Sequence, residues 1–163
     1  GNLMSKNLPA AVLIAGTLAV LLLTAGAQFV LFGGEDLAMK PLEILPDSEV
    51  PREILIWLDK DKYSEGYGAF FREGDLFLAA RMGERPTGGY AVFLGNPRLE
   101  KAEAVVTAEF RRPKPWDMVT QVLTYPRTVV RIASAGRCPA SALFLAVDGS
   151  VLARVEVVFL DQE

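Results

Sequence analysis

The feature that most limits how this 163-residue chain can fold is a stretch without charged residues from Asn7 to Gly34. Within it, the run from Leu8 to Phe32 is rich in Leu, Ala and Val. A helix rises about 1.5 Å per residue, so this run is long enough to cross a hydrocarbon core of about 30 Å. Residues 1–34 are therefore predicted to form a single N-terminal transmembrane or signal helix, which contacts the lipid bilayer through residues 8–32.

Two fates of this segment remain open. Ala25-Gly26-Ala27 has the small residues that a signal peptidase prefers, and cleavage after Ala27 would release a secreted protein. The apolar run continues to Phe32, which favours an uncleaved anchor. Lys6 precedes the segment and acids follow it, so the charge bias predicts a cytoplasmic amino terminus. The expected location is the cell membrane, single-pass, with the C-terminal domain outside the cytoplasm.

The composition excludes several classes of site. The chain has no histidine and one cysteine, Cys138, which removes His-based catalytic triads, haem ligation by His, most zinc sites and any internal disulfide. No Gly-rich phosphate-binding loop and no Gly-x-Ser-x-Gly element occurs in the sequence. The net charge of −3 is too small to suggest nucleic-acid binding. We therefore predict a protein that is not an enzyme, with no catalytic residues, no metal, no small-molecule cofactor and no nucleic-acid partner.

The remainder of the chain divides into a linker and a domain. Residues 35–50 are polar, contain prolines and show no sustained period, which is typical of a linker. Residues 51–163 are predicted to form the extracytoplasmic domain. It opens with a short helix near Pro51, which Asp47 or Ser48 is expected to cap. The apolar side of this helix consists of Ile54, Leu55, Trp57 and Leu58, and Trp57 is expected to pack in the core.

Strand patterns dominate from Tyr67 onward. Apolar residues alternate with polar ones, as in the segment from Val106 to Arg111, which indicates half-buried strands. Asp148-Gly149 predicts a two-residue type I′ turn between the last two strands, and 72–75 predicts another hairpin loop. The expected fold is mainly β, an antiparallel β-sandwich or barrel-like domain of about seven strands with one short helix.

One connection between predicted strands has an unusual composition. Arg85-Pro86-Thr87-Gly88-Gly89-Tyr90 lies between two apolar runs, and Pro86 fixes its own φ while Gly88 and Gly89 allow backbone angles closed to other residues. The turn therefore holds an Arg, a Thr hydroxyl and a Tyr on a short rigid loop. Two interpretations remain open, a recognition surface and a tight strand connection that serves folding alone.

A second biased stretch follows a later strand. Arg111 to Asp117 contains two prolines, three cations and Trp116. A basic, aromatic loop stiffened by proline is suited to recognition, because much of its ordering entropy is lost before binding. Alternatively, Trp116 folds back over the sheet edge with Arg112 stacked on it. The candidate partner-binding residues are Arg85, Pro86, Thr87, Gly88, Gly89, Tyr90, Arg112 and Trp116.

The first of these motifs, together with the stretch that follows the second, resembles the carboxy-terminal domain of the PrcB family over roughly residues 76–133. The resemblance rests on residues 84–90 and on residues 119–126 ahead of a Val-rich strand. It implies an exported bacterial envelope protein and a non-catalytic, protein-binding domain, since the family is named for association with, and stabilisation of, a secreted protease complex. The chain differs from lipoprotein members of that family in having no anchor cysteine after the apolar segment.

The two loops also resemble those of chagasin-type cysteine-protease inhibitors, which are immunoglobulin-like sandwiches. The stretch from Arg85 to Tyr90 is similar to one inhibitor loop, and Arg112-Pro113 with Trp116 is similar to another, although Lys114-Pro115 interrupts the Arg-Pro-Trp spacing. This similarity implies a protease inhibitor as an alternative function. A purely structural envelope protein is the second alternative.

Overall fold

The computed structural model describes residues 37–38, 42–134 and 136–162, and the predicted membrane segment 8–32 lies outside them. Residues 38–163 form one compact unit. Its helical elements are a 3₁₀ turn at Asp47–Glu49 and one α-helix, α1, at Arg52–Lys60. The strands are β1 (Glu43–Ile44), β2 (Glu65–Arg72), β3 (Asp75–Met82), β4 (Ala91–Glu100), β5 (Glu103–Arg111), β6 (Arg127–Ala133), β7 (Ser141–Leu145) and β8 (Val151–Phe159). No helix within this part of the chain is long and apolar enough to span a bilayer.

The strands form one curled sheet, a half-barrel, in the order β4-β5-β7-β8-β2-β3-β6-β1. β8 joins the two halves. Its residues from Val151 to Glu156 pair antiparallel with β7, and Val157–Phe159 pair parallel with β2. The mainly β prediction is confirmed, but the expectation of a purely antiparallel sheet is wrong.

The parallel pairs have a topological cause. After β5 the chain crosses to the other half of the sheet, where β6 pairs with β3, and it then returns to place β7 beside β5. A strand that returns after such a crossover runs parallel to its neighbour, whereas a tight hairpin would have reversed it. Two pairs of neighbouring strands in the sheet are parallel, β5 with β7 and β8 with β2.

The core has two layers, and β3 lies between them. Leu76, Leu78 and Ala80 point into the main core enclosed by the curled sheet, together with buried residues of β4, β5, β6 and β7. The alternate residues Phe77 and Ala79 point to the other face, where α1 covers them. Burial on both faces explains why this strand reads as a nearly continuous apolar run.

Helix α1 packs its apolar side on the outer face of the sheet. Ile54 and Leu58 are fully buried there, and Trp57 is half-buried with its ring 5.6 Å from Phe70 in an edge-on arrangement. The expectation that Trp57 packs in the core is confirmed. The expected side-chain cap is wrong, because Pro51 occupies the N-cap position and no side chain caps the helix. Asp47 instead forms an ion pair with Arg127 at 2.9 Å.

Part of the segment expected to be a linker belongs to the folded unit. β1 pairs with β6, so that Ile44 lies opposite Val130. Leu45 and Val50 are buried in the layer beneath α1. Residues 42–50 therefore contribute both backbone pairing and apolar contacts to the domain.

The type I′ turn occurs at a different hairpin from the one expected. Glu73 and Gly74 have φ values of 52° and 86° and join β2 to β3, with Arg72 paired to Asp75. Two consecutive positive φ values define that turn type. Gly149 also has a positive φ, but Asp148 does not, and Gly149 N–H donates to Ala146 O at 2.9 Å. The Asp148-Gly149 prediction of a two-residue turn is therefore wrong.

Candidate functional site: a surface of two paired loops

The two motifs singled out from the sequence lie against each other. Loop A, residues 83–90, connects β3 to β4, and loop B, residues 112–126, connects β5 to β6. Arg85 and Thr124 exchange backbone hydrogen bonds, at 2.8 Å from Arg85 N–H to Thr124 O and 2.9 Å in return. Gly88 N–H donates to Thr120 O at 2.9 Å. The loops therefore hold each other in a strand-like pairing that extends beyond the sheet.

Side-chain hydrogen bonds add to this pairing. The Thr124 hydroxyl donates to Thr87 O at 2.7 Å, which joins the two loops a second time near the Arg85 bridge. The Thr87 hydroxyl donates to Gly88 O at 2.8 Å within loop A. These hydrogen bonds pair the carbonyls of Thr87 and Gly88, which no strand reaches. The pairing holds the backbone of loop A in one conformation.

Two of the three glycines of loop A, Gly88 and Gly89, are required by the closeness of loop B. Gly89 has a φ of 89°, and a Cβ placed there would lie 2.8 Å from Val119 Cγ1 and 2.9 Å from Pro113 Cβ. A Cβ at Gly88 would lie 2.5 Å from the Thr120 hydroxyl oxygen. A larger residue at Gly88 would displace the Thr120 hydroxyl, and one at Gly89 would press on Val119 and Pro113 and would be strained by the positive φ.

The tip of loop B exposes several large apolar side chains. Asp117 N–H donates to Lys114 O at 2.9 Å, and the Asp117 carboxylate accepts from Lys114 N–H at 2.7 Å, which closes a tight turn around Trp116. Lys114 Nζ lies 5.7 Å from the centre of the Trp116 ring. The exposed fractions are 75% for Trp116, 99% for Met118, 57% for Val122 and 58% for Leu123. Trp116 is therefore not folded back on the sheet, and the cation beside its ring is Lys114.

An aromatic pair continues this surface toward the end of α1. The Tyr125 hydroxyl donates to Glu84 Oε2 at 2.9 Å, and this hydrogen bond raises the pKa of Tyr125 to about 12. The ring of Tyr63 meets that of Tyr125 edge-on at 5.4 Å. Lys62 Nζ lies 4.6 Å from the centre of the Tyr125 ring. A cleft of about 210 Å³ opens beside them, lined by Leu58, Asp59, Lys62, Arg81, Tyr125 and Arg127.

The predicted site residues have different positions on this surface. The Arg85 guanidinium lies 5.9 Å from the centre of the Tyr90 ring and is half-buried. Tyr90 itself packs against the main core. Pro86 and Arg112 are exposed, as is Trp116. Thr87, Gly88 and Gly89 serve mainly to hold loop A against loop B. The predicted residues are thus brought together, but only some of them present side chains to solvent.

Several residues of the same surface were not predicted from the sequence. Met118, Val122 and Leu123 are large apolar residues in a proline-flanked loop with no strand or helix period, a signal that could have identified them. Lys62 and Tyr63 lie in the turn that follows α1, far from the loops in sequence, and no local pattern connects them with Tyr125. Only the folded chain brings those residues together.

Comparison with known families identifies the segment that carries both loops. The family model described as PrcB C-terminal matches residues 76–133, from the start of β3 to the end of β6. No curated protein and no solved structure matches the chain. The match includes all of loop A and loop B, and it excludes α1, β2, β7 and β8. The resemblance inferred from the sequence is confirmed, because residues 76–133 of this chain match the PrcB C-terminal family model.

Proposed function

We propose that this chain is a non-catalytic, membrane-tethered protein whose extracytoplasmic domain binds a protein partner through loops A and B. The observation that carries the proposal is the exposure of Trp116, Met118, Val122 and Leu123 on a loop that is fixed in place. The family match supports a protein associated with a protease complex. A secreted protease is therefore the partner class that we propose.

The composition and rigidity of the surface fit protein recognition. Binding hot spots are enriched in Trp, Tyr and Arg, and covering apolar area contributes roughly 25 cal/mol per Å² before the costs of association. A flexible loop would lose part of that binding free energy, because its conformational entropy falls when the partner orders it. The pairing of loop B with loop A, together with the turn around Trp116, reduces this cost before the partner arrives.

Membrane tethering is the second part of the proposal, and its support comes from the sequence. The charge-free run at residues 8–32 has the length of a membrane span, and the flanking charges favour an exported C-terminal domain. In this arrangement the anchor keeps the domain at the outer surface of the cell membrane, where an exported protease is accessible.

The test is affinity capture by the full chain, solubilised in mild detergent and exposed to an extract of the native cell envelope. We expect the wild type to capture one protease, identified by mass spectrometry. Trp116→Ala should abolish the capture, and Arg85→Ala should weaken it. Phe159→Ala is a matched control, because Phe159 is 70% exposed on β8, beside Phe71 at the opposite end of β2 and β3 from loop A.

The outcomes separate the candidate functions. A half-life of the captured protease that is longer with the chain than without it would support stabilisation. Loss of proteolytic activity on adding the chain would support an inhibitor instead. Unchanged capture by folded Trp116→Ala and Arg85→Ala would contradict the proposed surface.

A further inference from the structure

The cations of the two loops, and Lys62 beside them, have partners of an unusual kind. Lys114 lies beside the ring of Trp116, Arg85 beside that of Tyr90, and Lys62 above that of Tyr125. No carboxylate within the described residues lies at ion-pair distance from Lys62, Arg85, Arg112 or Lys114. Aromatic rings orient Lys62, Arg85 and Lys114 but leave their charges uncompensated.

Cations on the strands, in contrast, form ion pairs with carboxylates. Arg127 pairs with Asp47 and Asp59, Arg131 pairs with Glu43, and Arg154 pairs with Glu103. Hydrogen bonding to Glu43 and Glu103 raises the pKa of Arg131 and Arg154, respectively. Most arginines of the strands thus form an ion pair with a carboxylate, whereas Arg85 and Arg112 form none within the described residues.

The acids of the two loops are also already engaged. The Glu84 carboxylate accepts from the Tyr125 hydroxyl at 2.9 Å, and the Asp117 carboxylate accepts from Lys114 N–H at 2.7 Å. Neither of them pairs with a cationic side chain within the described residues. The loop surface therefore combines exposed apolar side chains with oriented cations that still lack carboxylates.

We propose that the partner presents an apolar pocket bordered by carboxylates, in which the pocket receives Trp116 and the carboxylates pair with Arg85, Arg112 and Lys114. This inference rests on the proposed function and specifies the chemistry of the partner. An ion pair beside a ring contributes more binding free energy when the partner excludes water from it than when it is exposed. An arginine can also bind a carboxylate with two parallel hydrogen bonds. Charge complementarity of this kind also raises the rate of association.

A folded protein fits this surface better than a lipid surface does. Arg85 and Lys114 lie on different loops, and the backbone pairing of those loops fixes their separation. A protein can place carboxylates to match such fixed positions, whereas lipid headgroups rearrange around any cation. The binding test therefore uses uncharged membranes, so that anionic lipid contributes nothing.

The experiment measures binding of the protein captured by the wild type, after its purification, to the full chain in phosphatidylcholine nanodiscs. The variants are Lys114→Glu, the charge-keeping Lys114→Arg, and Arg137→Glu. Arg137 is an exposed cation without an ion pair in the described part of the chain, so it is a matched control away from both loops. Each variant is first checked for folding by thermal unfolding.

We expect Lys114→Glu to weaken binding about tenfold or more, mainly through slower association, and to reduce the dependence of affinity on NaCl. Lys114→Arg and Arg137→Glu should bind as the wild type does. If Lys114→Glu binds normally while Trp116→Ala does not, the carboxylate border is wrong and the proposed function stands. If the charge dependence appears only when phosphatidylglycerol is added to the nanodiscs, the cations contact lipid and the inference is overturned. If the wild type captures no protein, both proposals fail.

Discussion

The chain has two tryptophans, and each lies beside a cation, but their surroundings differ completely. Trp57 is half-buried between α1 and the sheet, with the Arg81 guanidinium 4.3 Å from the centre of its ring and Phe70 edge-on at 5.6 Å. Trp116 is 75% exposed at the tip of loop B, with Lys114 at 5.7 Å. The same pair of residue types thus stabilises the fold in one region and remains open to solvent in the other.

The cations explain part of the difference. Arg81 is buried, and its Nε donates to Ser64 O at 2.9 Å, so this guanidinium joins α1, the following loop and β3. Lys114 makes no comparable long-range contact through its side chain. A cation–π pair is therefore not by itself a sign of function. What distinguishes the loop surface is that its aromatic ring and its cation both remain accessible on a backbone that is held in place.

The first prediction tests the structural tryptophan and has the largest expected effect on stability. Trp57→Ala should lower the free energy of unfolding by about 3 kcal/mol, because it leaves a cavity against Phe70 and removes the surface on which Arg81 stacks. Urea denaturation of the full chain in detergent measures this change in the free energy of unfolding. Ile56→Ala, at an exposed position of the same helix, should change stability by less than about 0.5 kcal/mol. Similar losses for both variants would contradict the packing described for Trp57.

The second prediction tests the attachment of loop A to loop B. Gly89→Ala should cost about 2 kcal/mol, since it adds the penalty of a positive φ to contacts with Val119 and Pro113. Gly74→Ala is the matched control, because Gly74 has a similar φ of 86° but no atom near the added Cβ. The difference between the two melting temperatures isolates the contact between the loops. Equal losses would mean that the loops do not depend on their close approach.

The third prediction concerns Tyr125, which lies between the two regions. Its pKa of about 12 reflects the hydrogen bond to Glu84, so Glu84→Gln should move the pKa back toward the usual value near 10. Because the folded-state pKa is raised, this bond stabilises the fold below the usual pKa and is lost as pH rises through about 12. Ultraviolet titration of tyrosine ionisation measures the shift. An unchanged titration curve would show that Glu84 does not hold Tyr125.

The fourth prediction has the smallest effect on stability. Trp116→Ala should change the free energy of unfolding by less than about 0.5 kcal/mol, since the side chain is mostly exposed, while capture of the partner is lost. Trp57→Ala is expected to do the opposite for stability, with a loss of about 3 kcal/mol. A destabilisation of Trp116→Ala as large as that of Trp57→Ala would assign both tryptophans to the fold.

Patterns local in sequence predicted part of this fold. The helix at Pro51 and the mainly β character follow from apolar spacing, and the two loop motifs identified the PrcB C-terminal domain. The turn type predicted at Asp148-Gly149 was wrong. A dipeptide preference alone does not determine the backbone angles, because the register of the two strands also constrains them. Glu73-Gly74 adopts the type I′ turn at a less typical pair.

Features that depend on distant pairing could not be predicted. The parallel neighbours β5 and β7 follow from a crossover through β6, which has no signature in either strand. The meeting of Gly88 with Thr120 and of Tyr63 with Tyr125 likewise depends on the completed sheet. Candidate loops were therefore found one at a time, whereas the surface that they form appeared only in the structure.

The most direct test of the binding surface is photo-crosslinking in living cells with the full chain. Met118 is 99% exposed, so a benzophenone amino acid can replace it without disturbing packing, and the same replacement at Phe159 is the control at the far end of β2 and β3. We predict one discrete crosslinked protein from position 118, absent when Trp116→Ala is added, and none from position 159. No crosslink at 118, or the same product from both positions, would contradict the assignment of loops A and B as the partner-binding surface.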